Sequence, residues 1–208
     1  MIRKISILLF SVCAIAAPSL QAESAQAQVE KLRATVDAAL DAIYADDARS
    51  LSEQEKQSRV RSALESSYDL TVIIRRTIGR NWSELDATQQ DRVLELVKQL
   101  VVKAYVDNMN GGERPEISYG EPIQITDKRL EIPSTIRAGD TRVSVLYRLG
   151  RLESGWQIYD VVAEDISLVS NYRQQIDDHF RKGNAAELVT RLEELLQRKE
   201  ITDETIEI

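Results

Sequence analysis

The stretch GWQIYDVVAEDISLVSNYR, residues 155–173, decides the fold. As a strand it sets Trp156, Ile158 and Val162 on one side of the pleat and Tyr159 and Val161 on the other, so both faces carry apolar weight. A sheet that is greasy on both faces must be covered on both, or must line a space that holds apolar material. Asp165, Ile166 and Ser167 then turn the chain into a helix carrying Leu168, Val169, Tyr172 and Ile176. Strand, polar corner and returning helix in one apolar run predict the wall and rim of a pocket.

Working outward, the segments before this stretch also have a period of two. Ile117-Ser118-Tyr119 with Ile123 to Ile125, Arg129 to Ile136, and Thr141 to Leu149 predict three further strands, giving four in all. Gly120-Glu121-Pro122 marks a bulge or edge in the first. Short turns at Gly139-Asp140 and Gly150 to Gly155 imply an antiparallel meander. Along the third strand Val143, Val145, Tyr147 and Leu149 alternate with Arg142, Ser144, Leu146 and Arg148. Two registers with the last strand are open: Asp160 opposite Val145, or Val161 opposite Val145 with Tyr159 opposite Tyr147. The second is preferred, because a carboxylate in an apolar face costs several kcal/mol without partners. It gives a pocket-facing set of Val143, Val145, Tyr147, Tyr159 and Val161.

Helices flank the strands. Ala25 to Ala45 carries Val29, Leu32, Val36, Leu40 and Ile43 at helical spacing. Ser52 and Glu55 form a capping box for the next helix. Asp69 is placed to cap Leu70 to Ile78, which Gly79 ends. Asp86 with Gln89 opens a long helix to about Met109, whose stripe Val93, Leu96, Val97, Leu100, Val101 and Ala104 is broad enough to face something large. Two helices close the chain, Leu168 to Arg181 and Ala185 to Lys199. The sequence therefore predicts one α+β domain over residues 23–200, with a loose acidic tail at 201–208.

Residues 1–22 do not read as part of that domain. Arg3 and Lys4 precede an apolar run from Ile5 to Ala17, too short to span a membrane, and Ala22 offers a small residue for cleavage. The expectation is a cleaved secretory signal. The only cysteine, Cys13, lies inside it, behind Val12 where a lipoprotein signal needs a small residue. Losing Arg3 and Lys4 takes the formal charge from −7 to about −9. Such a chain is ill suited to nucleic acid, and without cysteines it must rely on its packed core.

Catalytic and metal-binding patterns are missing: no GxSxG, no SxxK, no phosphate loop, no histidine pair. His179, the one histidine, follows Asp177 and Asp178, but adjacent helical positions diverge and do not converge on an ion. No cofactor is expected. Asp160 is expected to pair with Arg148 across the strands, and Asp165 to cap the helix beginning near Ser167. Arg75, Arg76 and Arg80 cluster on the short helix, as a solvated basic face or as contacts to an anionic headgroup.

LTVIIRRTIGRNW at residues 70–82, Gln89-Gln90 and the helix ending in Tyr105 resemble the front half of the toluene-tolerance/MlaC family. GWQIYDV at 155–161, Ile166-Ser167-Leu168-Val169 and Asn171-Tyr172-Arg173 resemble its most characteristic block, and Leu188 to Leu192 its closing helix. Glu164-Asp165 departs from the pattern, standing where a glycine commonly precedes Ile-Ser. The resemblance implies a strongly curved antiparallel sheet wrapped by helices, similar to the nuclear transport factor cone, with a lipid pocket between them. It also implies a periplasmic, non-enzymatic carrier, expected to be monomeric. Such a protein passes phospholipid between an outer-membrane lipoprotein complex and an inner-membrane MCE-domain ABC transporter. A family branch associated with hopanoids leaves that cargo open.

On this reading Leu96, Leu100, Val101, Val143, Val145, Tyr147, Tyr159 and Val161 contact acyl tails, with Val72 and Trp82 near the mouth. Two rival readings remain: a cone-fold enzyme using Asp160 or Asp165 as a base, and an interaction module whose apolar stripes simply fill a core.

Overall fold

The computed structural model describes residues 20–109 and 112–199. The expected signal lies outside them except for its last three residues, which fall in the first helix, and the acidic tail lies outside them entirely. Six helices and six strands follow in order among the described residues. They are α1 (Leu20–Tyr44), α2 (Glu53–Glu65), α3 (Leu70–Ile78), α4 (Ala87–Met109), β1 (Glu116–Tyr119), β2 (Ile123–Thr126), β3 (Arg129–Ala138), β4 (Thr141–Leu152), β5 (Gly155–Ala163), β6 (Ile166–Ser167), α5 (Leu168–Phe180) and α6 (Ala185–Leu196).

The helix starts follow from local chemistry. Ser52 and Glu55 close a reciprocal capping box on α2. Asp69 accepts the Thr71 N–H at 2.9 Å to cap α3, and Gly79 ends it with φ +62°. Asp86 and Gln89 exchange bonds of 2.8 and 3.0 Å at the start of α4. Asn184 and Glu187 form a second capping box on α6. Each satisfies amides that a helix end leaves without intrahelical partners.

The sheet is open and antiparallel, in the order β1-β3-β4-β5-β6, with β2 also pairing β3. It holds six strands rather than the four expected from sequence. Gly120-Glu121-Pro122 splits the first into β1 and β2, because Gly120 lies against Pro133 so closely that a Cβ would sit 3.0 Å from its Cγ. The second addition is β6. Ala163 pairs with Ile166 across a two-residue loop in which Glu164 and Asp165 have φ of 45° and 66°. Positive φ at both central residues marks the tight hairpin geometry that favours glycine, so the departure from the family pattern falls on a position with a conformational reason.

The β4–β5 register corrects the sequence reading. Tyr147 faces Val161, Arg148 faces Asp160 and Val145 faces Ala163, and a bulge then brings Leu149 opposite Ile158. Strict alternation from Trp156 would have put Asp160 on the apolar face. The bulge inserts one residue, Tyr159, and moves Asp160 to the other side while Val161 keeps the apolar one. Tyr159 lies beside Gly150 and under Arg76, on the side of Arg148, so it does not share the face of Val145 and Tyr147.

Three clusters make the core. In the first, α3, α4, α5 and α6 pack through Ile74, Ile78, Leu96, Leu100, Ile176, Leu188 and Leu192. In the second, α1 lays Ala25, Val29 and Leu32 on Leu130, Ile132, Leu149 and Trp156 of the sheet. The third joins α1, α2 and α4 through Ile43, Val60, Val102 and Val106. Thus α1 covers one face of the sheet, and α3 and α5 meet β5 from the other.

Candidate functional site

Register places Ile136, Val143, Val145, Val161, Ala163 and Ile166 at one end of the face that α1 covers. The three packed clusters take in none of them. Val145 is buried, whereas Ile136, Val143 and Val161 remain half-buried and Ile166 is 58% exposed. Ile136, Ala163 and Ile166 escaped the sequence reading; the pairing of β3 with β4 and of β5 with β6 would have added them.

The expected contacts on α4 divide. Leu96 and Leu100 are buried between α3 and α6, so the broad stripe is explained largely by helical neighbours. Val101 points elsewhere and is 46% exposed, an unusual setting for valine in mid-helix. Val97 and Tyr105, one turn to either side, are half-buried on the same row.

Phenol groups stand between this end of the sheet and the packed part. Tyr147 of β4, Tyr119 of β1, Tyr105 of α4 and Tyr68 after α2 are near enough to influence one another's ionisation. Burial drives the hydroxyls of Tyr68, Tyr105 and Tyr119 well above the ordinary phenol range, and pushes Tyr147 up to about 12. The Tyr68 and Tyr119 hydroxyls are buried with no partner among the described residues. Lys31 lies 4.5 Å over the Tyr68 ring and Arg33 4.9 Å over that of Tyr119, which adds cation–π attraction from α1.

A separate cleft of about 780 Å³ opens at the end of α3. Val72 and Trp82, expected near a mouth, both line it, with Arg75, Arg76, Arg80 and Arg173. Arg75 stacks 5.1 Å from the Trp82 ring centre and Arg76 4.7 Å from that of Tyr159. Arg173 of α5 donates through Nε to the Arg76 carbonyl at 3.0 Å. Arg80 pairs with Asp177 at 3.2 Å, and Asn81 donates to the same carboxylate at 2.6 Å.

The two candidate acids sit outside the apolar end. Asp160 is 5% exposed and accepts from Arg148 at 3.1 Å, from the Ser167 hydroxyl at 2.8 Å and from the Val169 N–H at 3.3 Å. The expected Arg148 pairing is present, and these donors occupy the carboxylate on the side facing α5. Asp165 does not cap α5. Ser167 does, accepting the Ser170 N–H at 3.1 Å, while Asp165 is exposed in the hairpin loop. His179 lies against the Asn184 carbonyl at 3.0 Å, and no cluster suited to a metal ion occurs among the described residues.

A sheet with helices on both faces and one apolar end outside the packed clusters defines a helix-wrapped α+β fold. The family model described as MlaC protein matches residues 33–194, and the chain belongs to that family. Among solved structures it is similar to the phospholipid-binding protein from Ralstonia solanacearum, determined in complex with a phospholipid. The match has 24% identity and a TM-score of 0.71, and covers 82% of this chain and 95% of that one. No curated protein matches the chain.

Proposed function

We propose that the protein is a non-enzymatic phospholipid carrier that holds acyl tails against the apolar end of the sheet. In this reading Val143, Val145, Tyr147 and Val161 form the wall of that site, and Val101 of α4 contributes a further tail contact. The observation that carries the reading is the aliphatic set from β3 to β6 lying outside every packed cluster, in a chain of the MlaC family. Membership of that family and the phospholipid in the Ralstonia neighbour support the cargo.

The energetics suit a carrier. Each methylene kept from water is worth about 0.8 kcal/mol, so a tail of about sixteen carbons costs on the order of 12 kcal/mol to expose. An aliphatic wall resembles the membrane interior, so loading and unloading are nearly balanced. Modest differences in affinity for docking partners then set direction. In this reading the chain is exported by residues 1–22 and works in the periplasm as a monomer, between an outer-membrane lipoprotein complex and an inner-membrane MCE-domain transporter.

Native mass spectrometry of the purified protein, with uptake from labelled liposomes, tests the proposal. Co-purified phospholipid and saturable uptake are expected. Protein that arrives empty and takes up nothing would end it, and a co-purified polycyclic lipid would replace the cargo.

A further inference from the structure

From the arginine cleft at the end of α3 we infer a binding site for a phosphate-class anion, built from Arg75, Arg76 and Arg173. These cations have no carboxylate partner among the described residues. Arg59, Arg61 and Arg148, by contrast, are each matched to an acid. Of the two carboxylates lining the cleft, Asp177 is held by Arg80 and Asn81, and Asp69 is engaged in capping α3.

The guanidinium groups are also held in place. Trp82 and Tyr159 each present a ring face to one of them, which fixes a plane without using its N–H donors. Arg173 is anchored on the Arg76 carbonyl, where the negative end of the α3 dipole favours a cation. Gly79 makes this approach possible, because a Cβ there would lie 3.1 Å from Arg173 Nε. Planar donors oriented around a cleft of about 780 Å³ fit the oxygens of a phosphate mono- or diester. A solvated basic face would need neither the stacking nor the concavity.

Two sources share this chemistry, a phospholipid headgroup and free phosphate, and only the first rests on the carrier reading. The test uses the full mature chain, wild type and Arg75→Gln/Arg76→Gln. Both side chains are exposed, so the variant should fold. Thermal shift is followed with inorganic phosphate against chloride at matched ionic strength, and binding of short-chain phosphatidylglycerol is measured below its micellar concentration. Losing charge-assisted hydrogen bonds should weaken anion binding by about tenfold or more.

Arginine-dependent loss of both ligands, or of the phospholipid alone, assigns the cleft to a headgroup. Loss of phosphate alone assigns it to a free anion. If wild-type protein takes up no lipid yet phosphate stabilises it through these arginines, the carrier reading falls and the anion site stands. No phosphate-specific stabilisation, together with unchanged lipid affinity in the variant, overturns the inference.

Discussion

Arg148 and Asp160 meet across β4 and β5 with Nη1 3.1 Å from Oδ2, on the side of the sheet away from α1. The pair is tied on one hand to Glu131, 3.1 Å from Arg148, and on the other to the start of α5 through Ser167 and Val169. It therefore fastens α5 to the sheet.

Asp160→Asn removes the charge and keeps the shape. Arg148 retains Glu131, so no cation is orphaned, and the expected loss is about 1–3 kcal/mol of unfolding free energy. Lipid uptake should be unchanged below the melting transition. Denaturant titration and liposome uptake check both parts, and abolished uptake in a folded variant would revive the enzyme reading.

Val101→Glu separates pocket from core. Val101 is 46% exposed and lies outside the packed clusters, so the change should alter stability by no more than about 0.5 kcal/mol. A carboxylate against a hydrocarbon tail should lower lipid uptake by at least about tenfold. Unimpaired uptake would remove α4 from the site.

Alkaline pH should unfold the protein through its phenols. A folded pKa raised above the unfolded value means that the native state holds the proton more tightly. The stabilisation is fully present below about pH 10, the unfolded phenol value. It declines as pH rises through the folded value, which for Tyr147 is about 12. Absorbance titration should show the tyrosinates of Tyr68, Tyr105, Tyr119 and Tyr147 appearing together with loss of the fold. All seven tyrosines ionising near pH 10 in folded protein would contradict this.

Asp165→Gly should relieve the loop between β5 and β6. Left-handed backbone costs an ordinary residue about 1–2 kcal/mol, partly offset by the greater unfolded freedom of glycine. A net gain of up to about 1 kcal/mol is expected, whereas Asp165→Val should lose about as much. The neighbouring position is a poorer choice, because Glu164 bonds to Ser144 through both its N–H and its carboxylate. Thermal melts of the two variants give the comparison.

Much of this arrangement could be read from the chain, because it rests on local chemistry. Ser52 with Glu55, Asp69 before Leu70, and Asp86 with Gln89 announce their helices within a few residues. The pairing of Asp160 with Arg148 also followed, since a carboxylate in that strand needs a cation. What escaped was set over longer distances. The α4 stripe shows that Leu96 and Leu100 are apolar, but not that α3 and α6 would claim them. Arg173 joins Arg75 and Arg76 only because α5 returns to the end of α3, a contact with no periodic signal. The sheet register was missed because period-two reasoning has no place for a spare residue.

That spare residue makes the bulge, rather than the side chain at Tyr159, what decides which face each later residue of β5 occupies. Substitutions there leave the frame of β5 intact. Deleting it would restore strict alternation and still leave Asp160 opposite Arg148 and Val161 opposite Tyr147, because the bulge already sets the extra residue aside. Flattening the bulge with Tyr159 still in place would instead exchange the two surfaces of the distal strand, turning the Asp160 carboxylate toward α1 although every side chain had been kept.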